Sequence, residues 1–390
     1  MSVVDIVLAA KKLSVDSLIS IITELSLYVD ILISKYEGPV TLDSYVRKQR
    51  NYNEGSSEGH GNAMVVNGNP DGLINSTKHT QGWTEALWKR MSANTWFSNE
   101  PDISKEAEAY EKLSTDQKRM YDITLGSLIA NDSFQTRNLA VNMIGYISDP
   151  NIIAILTRQA YEEALHSESY GVLSTDVYKG HDPQKVFMLH QSDPELAKRN
   201  RWLQRLYDPL DIANGQKITF KMFIQAIAAN LILEGIMFQG GFISVWSLGA
   251  SMTGSSKMLA FISRDERTHL AVFCGIFNGM MKDFPELNDP VTRAIVIDMI
   301  KEAVEVEISW LKYTTGDGVF IFSDENIRSY IEGKANELTN AIGYGKIYNA
   351  GSSVLKKLED TYGKIDDTRS NFFESKPAAY SKGSVDMSDI

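Results

Sequence analysis

Residues 163–166 read Glu-Ala-Leu-His, and residues 266–269 read Glu-Arg-Thr-His. Each copy places a carboxylate three residues before an imidazole, so both side chains lie on one face of an α-helix. A lone acid in an apolar run precedes each copy: Asp132 comes 31 residues before the first glutamate, and Glu234 comes 32 residues before the second. Four carboxylates and two histidines from four helices are the ligand set of a dinuclear metal site inside a four-helix bundle.

The composition argues against several other classes of protein. The 390 residues are 43% hydrophobic and carry a net charge of −11, with no basic stretch interleaved with aromatic residues, so nucleic-acid binding is not expected. The single cysteine, Cys274, cannot form a disulfide within the chain, which fits the cytoplasm. The N-terminus lacks the pattern of a secretory signal. Asp16, Glu24 and Asp30 interrupt the apolar stretch 15–35, which argues against a membrane span.

The chain is predicted to have three parts. Residues 1–80 form an N-terminal extension and polar linker, with a strong turn signal at Asn69-Pro70-Asp71-Gly72. Residues 81–350 carry long helical patterns, and Gly318 to Phe322 is the only short strand candidate. Residues 351–390 lose the helical pattern and are predicted to be a flexible tail.

Capping signals indicate where the helices begin. Ser114 and Gln117 fit a capping box, and Asp-Pro pairs at 149–150 and 289–290 fit helix starts. The four core helices are predicted over about 115–145, 150–180, 216–247 and from Ser255 onward.

Three glycines, Gly235, Gly240 and Gly241, fall inside the third of these helices. Each costs roughly 1 kcal/mol relative to alanine. Close helix packing and a local helix distortion both account for them, and the sequence does not choose between the two.

The chemistry of the six side chains favours hard metal ions. Carboxylate oxygen and imidazole nitrogen suit iron or manganese, and the sequence does not distinguish these two metals. Two divalent cations would balance four carboxylates, which are prohibitively costly in a core when unpaired. A single Glu-x-x-His pair is more often a solvated helix face, and Asp132 alone is more often a hydrogen-bonded core residue. The repeated spacing makes the metal interpretation the stronger one.

Tyr170 follows the first Glu-x-x-His pair on the same helical stripe, which places its phenol near the metals. Phe238 and Phe242 lie four and eight residues after the acid of the third helix, and Ile262 lies four before that of the fourth. These apolar groups are expected to shield Tyr170 from water and reductants. The alternative is a core tyrosine in ordinary aromatic packing.

Together these residues resemble the small, radical-generating subunit of class I ribonucleotide reductase, from about Trp83 to the C-terminus. The motifs concerned are Asp132, Glu163-x-x-His166 with Tyr170, Glu234-x3-Phe238-x3-Phe242 and Ser263-Arg264-Asp265-Glu266-x-x-His269. The resemblance implies an all-α fold, with a ferritin-like four-helix-bundle core, additional helices and a flexible C-terminal tail. It also implies a dinuclear iron or manganese centre, an O2-derived oxo bridge and a tyrosyl radical on Tyr170.

The same resemblance implies further residues and partners. Trp96 matches the family tryptophan near the metal, and Asp265 matches the carboxylate that links it to the histidine ligand His166. Residues 371–374 (Asn-Phe-Phe-Glu) followed by Tyr380 resemble the tail that relays the radical and docks on the large catalytic subunit. A homodimer is expected, with no membrane or nucleic-acid partner. The N-terminal extension shows no nucleotide-binding cone pattern and is assigned no function.

Three other functions are compatible with parts of the sequence. A related dinuclear oxidase would act directly on a small or lipid-like substrate, but such proteins usually carry Glu where Asp132 stands and lack the relay tail. A ferritin-type storage protein would have much shorter subunits that form shells. A purely structural helical protein would bind no metal.

Overall fold

The structure, a computed structural model, describes residues 14, 17, 39–56, 63–211, 215–316 and 321–363. The described residues fall into two units, with the boundary between residues 41 and 42. The helices of the second unit are α1 (Trp83–Ala93), α2 (Glu106–Glu111), α3 (Thr115–Arg137), α4 (Pro150–Val177), α5 (Gln184–Phe187), α6 (Leu189–Ser192), α7 (Pro194–Tyr207), α8 (Phe220–Ile232), α9 (Phe238–Trp246), α10 (Thr253–Asp283), α11 (Pro290–Thr315), α12 (Asp324–Ala341) and α13 (Val354–Tyr362).

Four long segments form a bundle. The four segments are α3, α4, the continuous pair α8 and α9, and α10. Helix α3 packs against α4 and α9, and α10 packs against α4, α8 and α9, so the four segments form a closed ring. Extended pairing within the described residues is limited to two isolated bridges, Tyr45 with Thr219 and Val66 with Ile147. The predicted all-α, ferritin-like bundle with additional helices is confirmed.

The predicted capping signals begin the helices as expected. The Ser114 hydroxyl accepts from the Gln117 backbone N–H at 3.2 Å, and the Gln117 side chain accepts from the Ser114 backbone N–H at 3.0 Å. Asp149 accepts from the N–H of Asn151 at the start of α4. Asp289 caps α11 by accepting from the N–H of Thr292. Each cap satisfies donors that the first helical turn leaves unpaired.

The third core helix departs from a regular α-helix. It begins at Phe220, and a π-helical segment, Leu233–Met237, separates α8 from α9. The Phe238 N–H donates to the carbonyl of Leu233, five residues earlier. Both explanations of the glycines therefore hold, at different positions. Helix distortion applies to Gly235, which lies in this π segment. Close packing applies to Gly241, because a Cβ there would come within 2.7 Å of Leu128.

The predicted linker is partly core. Val65 and Val66 are fully buried, and the Val65 N–H donates to Asp283 at 2.7 Å, at the end of α10. Residues 42–56 and 63–80 thus belong to the helical unit, so the unit begins at residue 42, whereas the sequence placed the boundary at residue 80.

The prediction that the helical pattern ends at residue 351 was wrong. Helix α13 spans Val354–Tyr362, and Glu359 accepts from Lys334 at 2.8 Å and from the Tyr330 hydroxyl at 3.1 Å. These contacts dock the short helix on α12. The predicted tail features from residue 364 onward, including Tyr380, lie outside the described residues. So does most of the strand candidate, namely residues 318–320.

Hydrophobic content is concentrated inside the bundle. Among the described residues, Phe220–Trp246 is the one helical stretch long and apolar enough to cross a membrane, and it is entirely buried in the fold. Cys274 is also fully buried, as a small core residue.

Candidate metal centre

The four bundle segments bring all six predicted metal ligands together in the core. Each of the six side chains is fully buried. The potential ligand atoms form two groups, within each of which all atoms lie within 4.8 Å of one another. The groups are Asp132, Glu163, His166 and Glu266, and Glu163, Glu234, Glu266 and His269. Because Glu163 and Glu266 belong to both, the arrangement suits two adjacent cations bridged by two carboxylates.

Both imidazoles turn the same ring atom toward the acids. His166 Nδ1 lies 3.2 Å from Asp132 Oδ1 and 3.0 Å from Glu266 Oε1. His269 Nδ1 lies 3.1 Å from Glu163 Oε1 and 2.7 Å from Glu266 Oε2. Each ring therefore presents Nδ1 to the centre and leaves Nε2 for a partner on the outer side.

The acids fit a metal pair better than they fit an ordinary core. Three of the acids have one buried oxygen without a hydrogen-bond partner within the described part of the chain: Asp132 Oδ2, Glu163 Oε2 and Glu234 Oε2. Orphaned buried carboxylate oxygens are costly, and cations at the centre would satisfy them. An oxygen-rich set with two imidazole nitrogens suits iron or manganese.

The pKa values of three of the acids shift in different directions. Burial raises the pKa of Asp132 and of Glu234 well above the usual range. Burial acts on Glu266 as well, but the His166 and His269 imidazoles hold the pKa of that carboxyl below its ordinary value. The position of Glu266 next to both imidazole rings explains the difference.

A hydrogen-bonded chain leads away from His166. The Trp96 indole N–H donates to Asp265 Oδ2 at 2.6 Å, and His166 Nε2 lies 3.4 Å from the same oxygen. Two nitrogens of Arg264 donate to Asp265 Oδ1, each at 3.3 Å. The structure therefore places Trp96, Asp265 and His166 in the order that the family resemblance implied. Burial opposes ionisation of Asp265, but His166, Arg264 and Trp96 keep its pKa low.

A matching pair on the other side of the centre was missed from the sequence. His269 Nε2 lies 2.9 Å from Glu162 Oε2, and Arg158 Nε donates to Glu162 Oε1 at 2.8 Å. Such outer carboxylates fix the tautomer and orientation of a ligating imidazole. The signal was present in the repeat: Glu162 directly precedes the glutamate of its Glu-x-x-His pair, as Asp265 precedes the glutamate of the other.

Two glutamines hold Glu234, and these too were missed. Its Oε1 accepts from Gln135 Nε2 at 2.7 Å and from Gln159 Nε2 at 3.0 Å, which leaves Oε2 for a metal. Gln135 lies three residues after Asp132, and Gln159 lies four before Glu163, so helical spacing alone would have placed both beside ligands.

Tyr170 is fully buried on α4, one turn beyond His166. Its hydroxyl has no hydrogen-bond partner among the residues that the structure describes. Burial raises the pKa of Tyr170 well above its usual range, and the Asp132, Glu266 and Glu163 carboxylates add to this effect. The side chain is thus held as a neutral phenol beside the acidic centre.

The three apolar residues predicted to shield the phenol are also fully buried. Phe238 and Phe242 stack with ring centroids 5.9 Å apart and planes at 8°, and Ile262 lies on α10. That these residues keep water from Tyr170 stays a prediction.

Comparison with known proteins agrees with this architecture. The family model described as "Ribonucleotide reductase, small chain" matches residues 73–354. The ribonucleoside-diphosphate reductase subunit beta of Treponema pallidum is 29% identical over 84% of this chain and 93% of its own length.

Two solved structures are similar. The ribonucleotide reductase R2 subunit from Clostridium botulinum aligns with a TM-score of 0.77 and 26% identity, over 83% of this chain and 100% of that one. The dimanganese(II)-NrdF of Streptococcus sanguinis, at 16% identity and a TM-score of 0.64 over 73% of this chain and 98% of that one, shows the shared fold alone. On the family match, which covers most of the chain, this protein belongs to the family of ribonucleotide reductase small chains.

Proposed function

We propose that the chain is the radical-generating subunit of a ribonucleoside-diphosphate reductase and that Tyr170 carries a tyrosyl radical. The observation that carries this proposal is the pair of ligand groups that share Glu163 and Glu266, with a buried, unpartnered phenol beside them. The name of the Treponema relative supports the choice of ribonucleoside diphosphates as the substrates of the whole enzyme.

The six ligands would hold two iron or two manganese ions. When bound and oxidised by oxygen, this metal pair supplies the oxidising power needed to remove an electron from a phenol. The protein contributes position and dryness: the carboxylates and imidazoles fix the ions, and the packed bundle excludes bulk water.

In this reaction Tyr170 would give one electron to the oxidised metal pair and its hydroxyl proton to a basic group of the same centre. Because the pKa of Tyr170 is raised by burial and by neighbouring carboxylates, the proton must leave together with the electron. After the loss, the phenoxyl oxygen has no hydrogen-bond donor in the described surroundings, and full burial keeps reductants away. Both features favour a long-lived radical.

The hydrogen-bonded side chains of His166, Asp265 and Trp96 form a path by which the radical can leave the metal centre. Its members are buried and linked through one oxygen, Asp265 Oδ2, which can take the indole proton when Trp96 loses an electron. From Trp96 the radical would pass to Tyr380 in the C-terminal tail and on to the large catalytic subunit, with the tail as the docking segment. We further propose a homodimer in the cytoplasm.

Electron paramagnetic resonance tests the radical. The protein is loaded with Fe(II) or Mn(II) and exposed to oxygen, with Tyr170→Phe as the test variant and Tyr207→Phe as the matched control. Tyr207 is also buried, and its hydroxyl donates to Gln135 at 3.3 Å rather than to a predicted metal ligand. We expect the radical signal in the wild type and in Tyr207→Phe, and its loss in Tyr170→Phe at unchanged metal content. An identical signal from Tyr170→Phe would contradict the assignment.

A further inference from the structure

Arg199 is a buried cation whose contacts converge on the ligand-bearing segments. It enters the core from α7, with a side chain only 3% exposed, and pairs with the fully buried Glu307 of α11. Its Nε and one terminal nitrogen donate to Glu307 Oε2 at 3.2 and 2.9 Å. Apolar side chains of similar volume often replace such buried pairs without loss of stability, so stability alone does not explain its presence.

The remaining donors of Arg199 reach two segments that carry metal ligands. One terminal nitrogen donates to the side-chain oxygen of Asn131 at 3.2 Å, and the other donates to the Met237 carbonyl at 3.4 Å. Asn131 directly precedes the ligand Asp132. Met237 is the last residue of the π segment that contains Glu234. A single planar guanidinium therefore links α3 and the π segment, both of which carry predicted metal ligands.

The π segment needs such support more than its neighbours do. A π turn shifts the hydrogen-bond register and weakens the ladder that holds a regular helix, whereas Asp132 lies within the regular α3. Two buried side chains donate to carbonyls of this segment: Gln239 to Glu234 at 3.1 Å, and Arg199 to Met237. These hydrogen bonds help to fix the backbone of the π segment and thereby the position of the Glu234 carboxylate.

Gly240 makes room for the same pair. A Cβ at this position would collide with Glu307 Oε1, so the glycine lets the carboxylate lie against α9. Glu307 Oε1 itself has no hydrogen-bond partner in the described structure. The position of Glu307 is therefore set by Arg199 and by the space at Gly240.

We infer that Arg199 and Glu307 are positioning residues that hold the π segment, and through it set the affinity of the metal position that Glu234 serves. This inference rests on the proposed metal centre. It predicts an unequal effect of their loss. The position that uses Glu234 and His269 should weaken, whereas the one that uses Asp132 and His166 should change little.

The test is Mn(II) binding to metal-free protein, followed by electron paramagnetic resonance and by melting temperature. Two Mn(II) ions that share carboxylates couple magnetically, whereas an isolated bound Mn(II) keeps its own hyperfine signal. In Arg199→Met and in Gly240→Ala we expect at least a tenfold weaker second Mn(II), the scale typical of lost outer contacts. When one to two molar equivalents of Mn(II) have been added per protein chain, the signal of an isolated bound Mn(II) should then persist.

Lys334→Met is the matched control. Lys334 and Glu359 form another buried ion pair, 2.8 Å long, whose hydrogen bonds touch no ligand-bearing segment. This variant should bind both Mn(II) ions as the wild type does, even if it melts at a lower temperature. Loss of the second ion in Lys334→Met as well would make the effect a general consequence of destabilisation and overturn the inference.

Arg199→Lys separates positioning from stability. Lysine keeps the charge near Glu307, but its single ammonium lacks the planar fork that serves Asn131 and Met237 together. We expect a melting temperature near that of the wild type with a weakened second Mn(II). Folded Arg199→Lys and Gly240→Ala proteins with two wild-type affinities would overturn the inference, whether or not Arg199→Met folds. A wild-type protein that binds no Mn(II) pair would instead contradict the proposed function.

Discussion

The two outer carboxylates of the centre should differ in their contribution to stability, although they occupy equivalent positions in the repeat. Replacing Asp265 with asparagine removes the charge that neutralises Arg264, which is 2% exposed. An amide also cannot accept from Trp96 on one atom and from Arg264 on the other, as the carboxylate does. Breaking a buried pair in this way costs about 3–5 kcal/mol.

The matched substitution, Glu162→Gln, should cost less. The Arg158 side chain that pairs with Glu162 is 20% exposed and can be rehydrated when the carboxylate is lost. The free energy of unfolding should then fall by the value of one hydrogen bond to a charged group, about 1.5–3 kcal/mol. For a chain of this length, the larger cost of Asp265→Asn corresponds to a melting temperature lower by about 4–6 °C.

Urea unfolding of the metal-free proteins, followed by circular dichroism, measures both costs on one scale. Each variant is compared with the wild type at the same pH, and unchanged slopes with urea confirm that the unfolded states are comparable. We expect Asp265→Asn to be the least stable, Glu162→Gln to be intermediate and the wild type to be the most stable. Equal losses, or a larger loss for Glu162→Gln, would show that burial of the cationic partner does not set the cost.

Three further outcomes follow from burial and close packing. Cys274 should not react with a thiol reagent in the native protein, because burial removes access and raises the pKa of its thiol; rapid labelling without denaturant would contradict this. Gly241→Ala should lower the free energy of unfolding by about 1–3 kcal/mol, because the new Cβ meets Leu128 at 2.7 Å; calorimetry with unchanged stability would show that the site has room. Phe242→Ala should cost about 3–5 kcal/mol and shorten the radical lifetime, measured by decay of the paramagnetic signal; an unchanged lifetime would remove Phe242 from the shield of Tyr170.

Local chemistry made the main features of the fold predictable. Backbone N–H groups in the first turn of a helix need acceptors, and capping residues in the sequence supply them. The helices begin at these caps: Ser114 with Gln117, Asp149-Pro150 and Asp289-Pro290. The clustering of the six predicted ligands was foreseeable because an unpaired acid in an apolar helix is very costly, so its recurrence at matched spacing favours a shared cation site.

Features that depend on distant contacts were not predictable. Arg199 and Glu307 lie 108 residues apart in the chain, and neither position differs from an ordinary surface charge until the fold is known. Helix α13 is short, and its contacts with Lys334 and Tyr330 stabilise it more than its own propensity does. The sequence left two explanations open for Gly235, a helix distortion and close packing, and only the fold shows that this residue lies in a π segment.

Anomalous diffraction from crystals grown with Mn(II) would locate the metal ions themselves. We expect two peaks in the bundle core, about 3.5–4 Å apart, as is usual for paired metal sites. Glu163 and Glu266 should contact both peaks. A single peak, or peaks away from these two glutamates, would show that they do not bridge a metal pair.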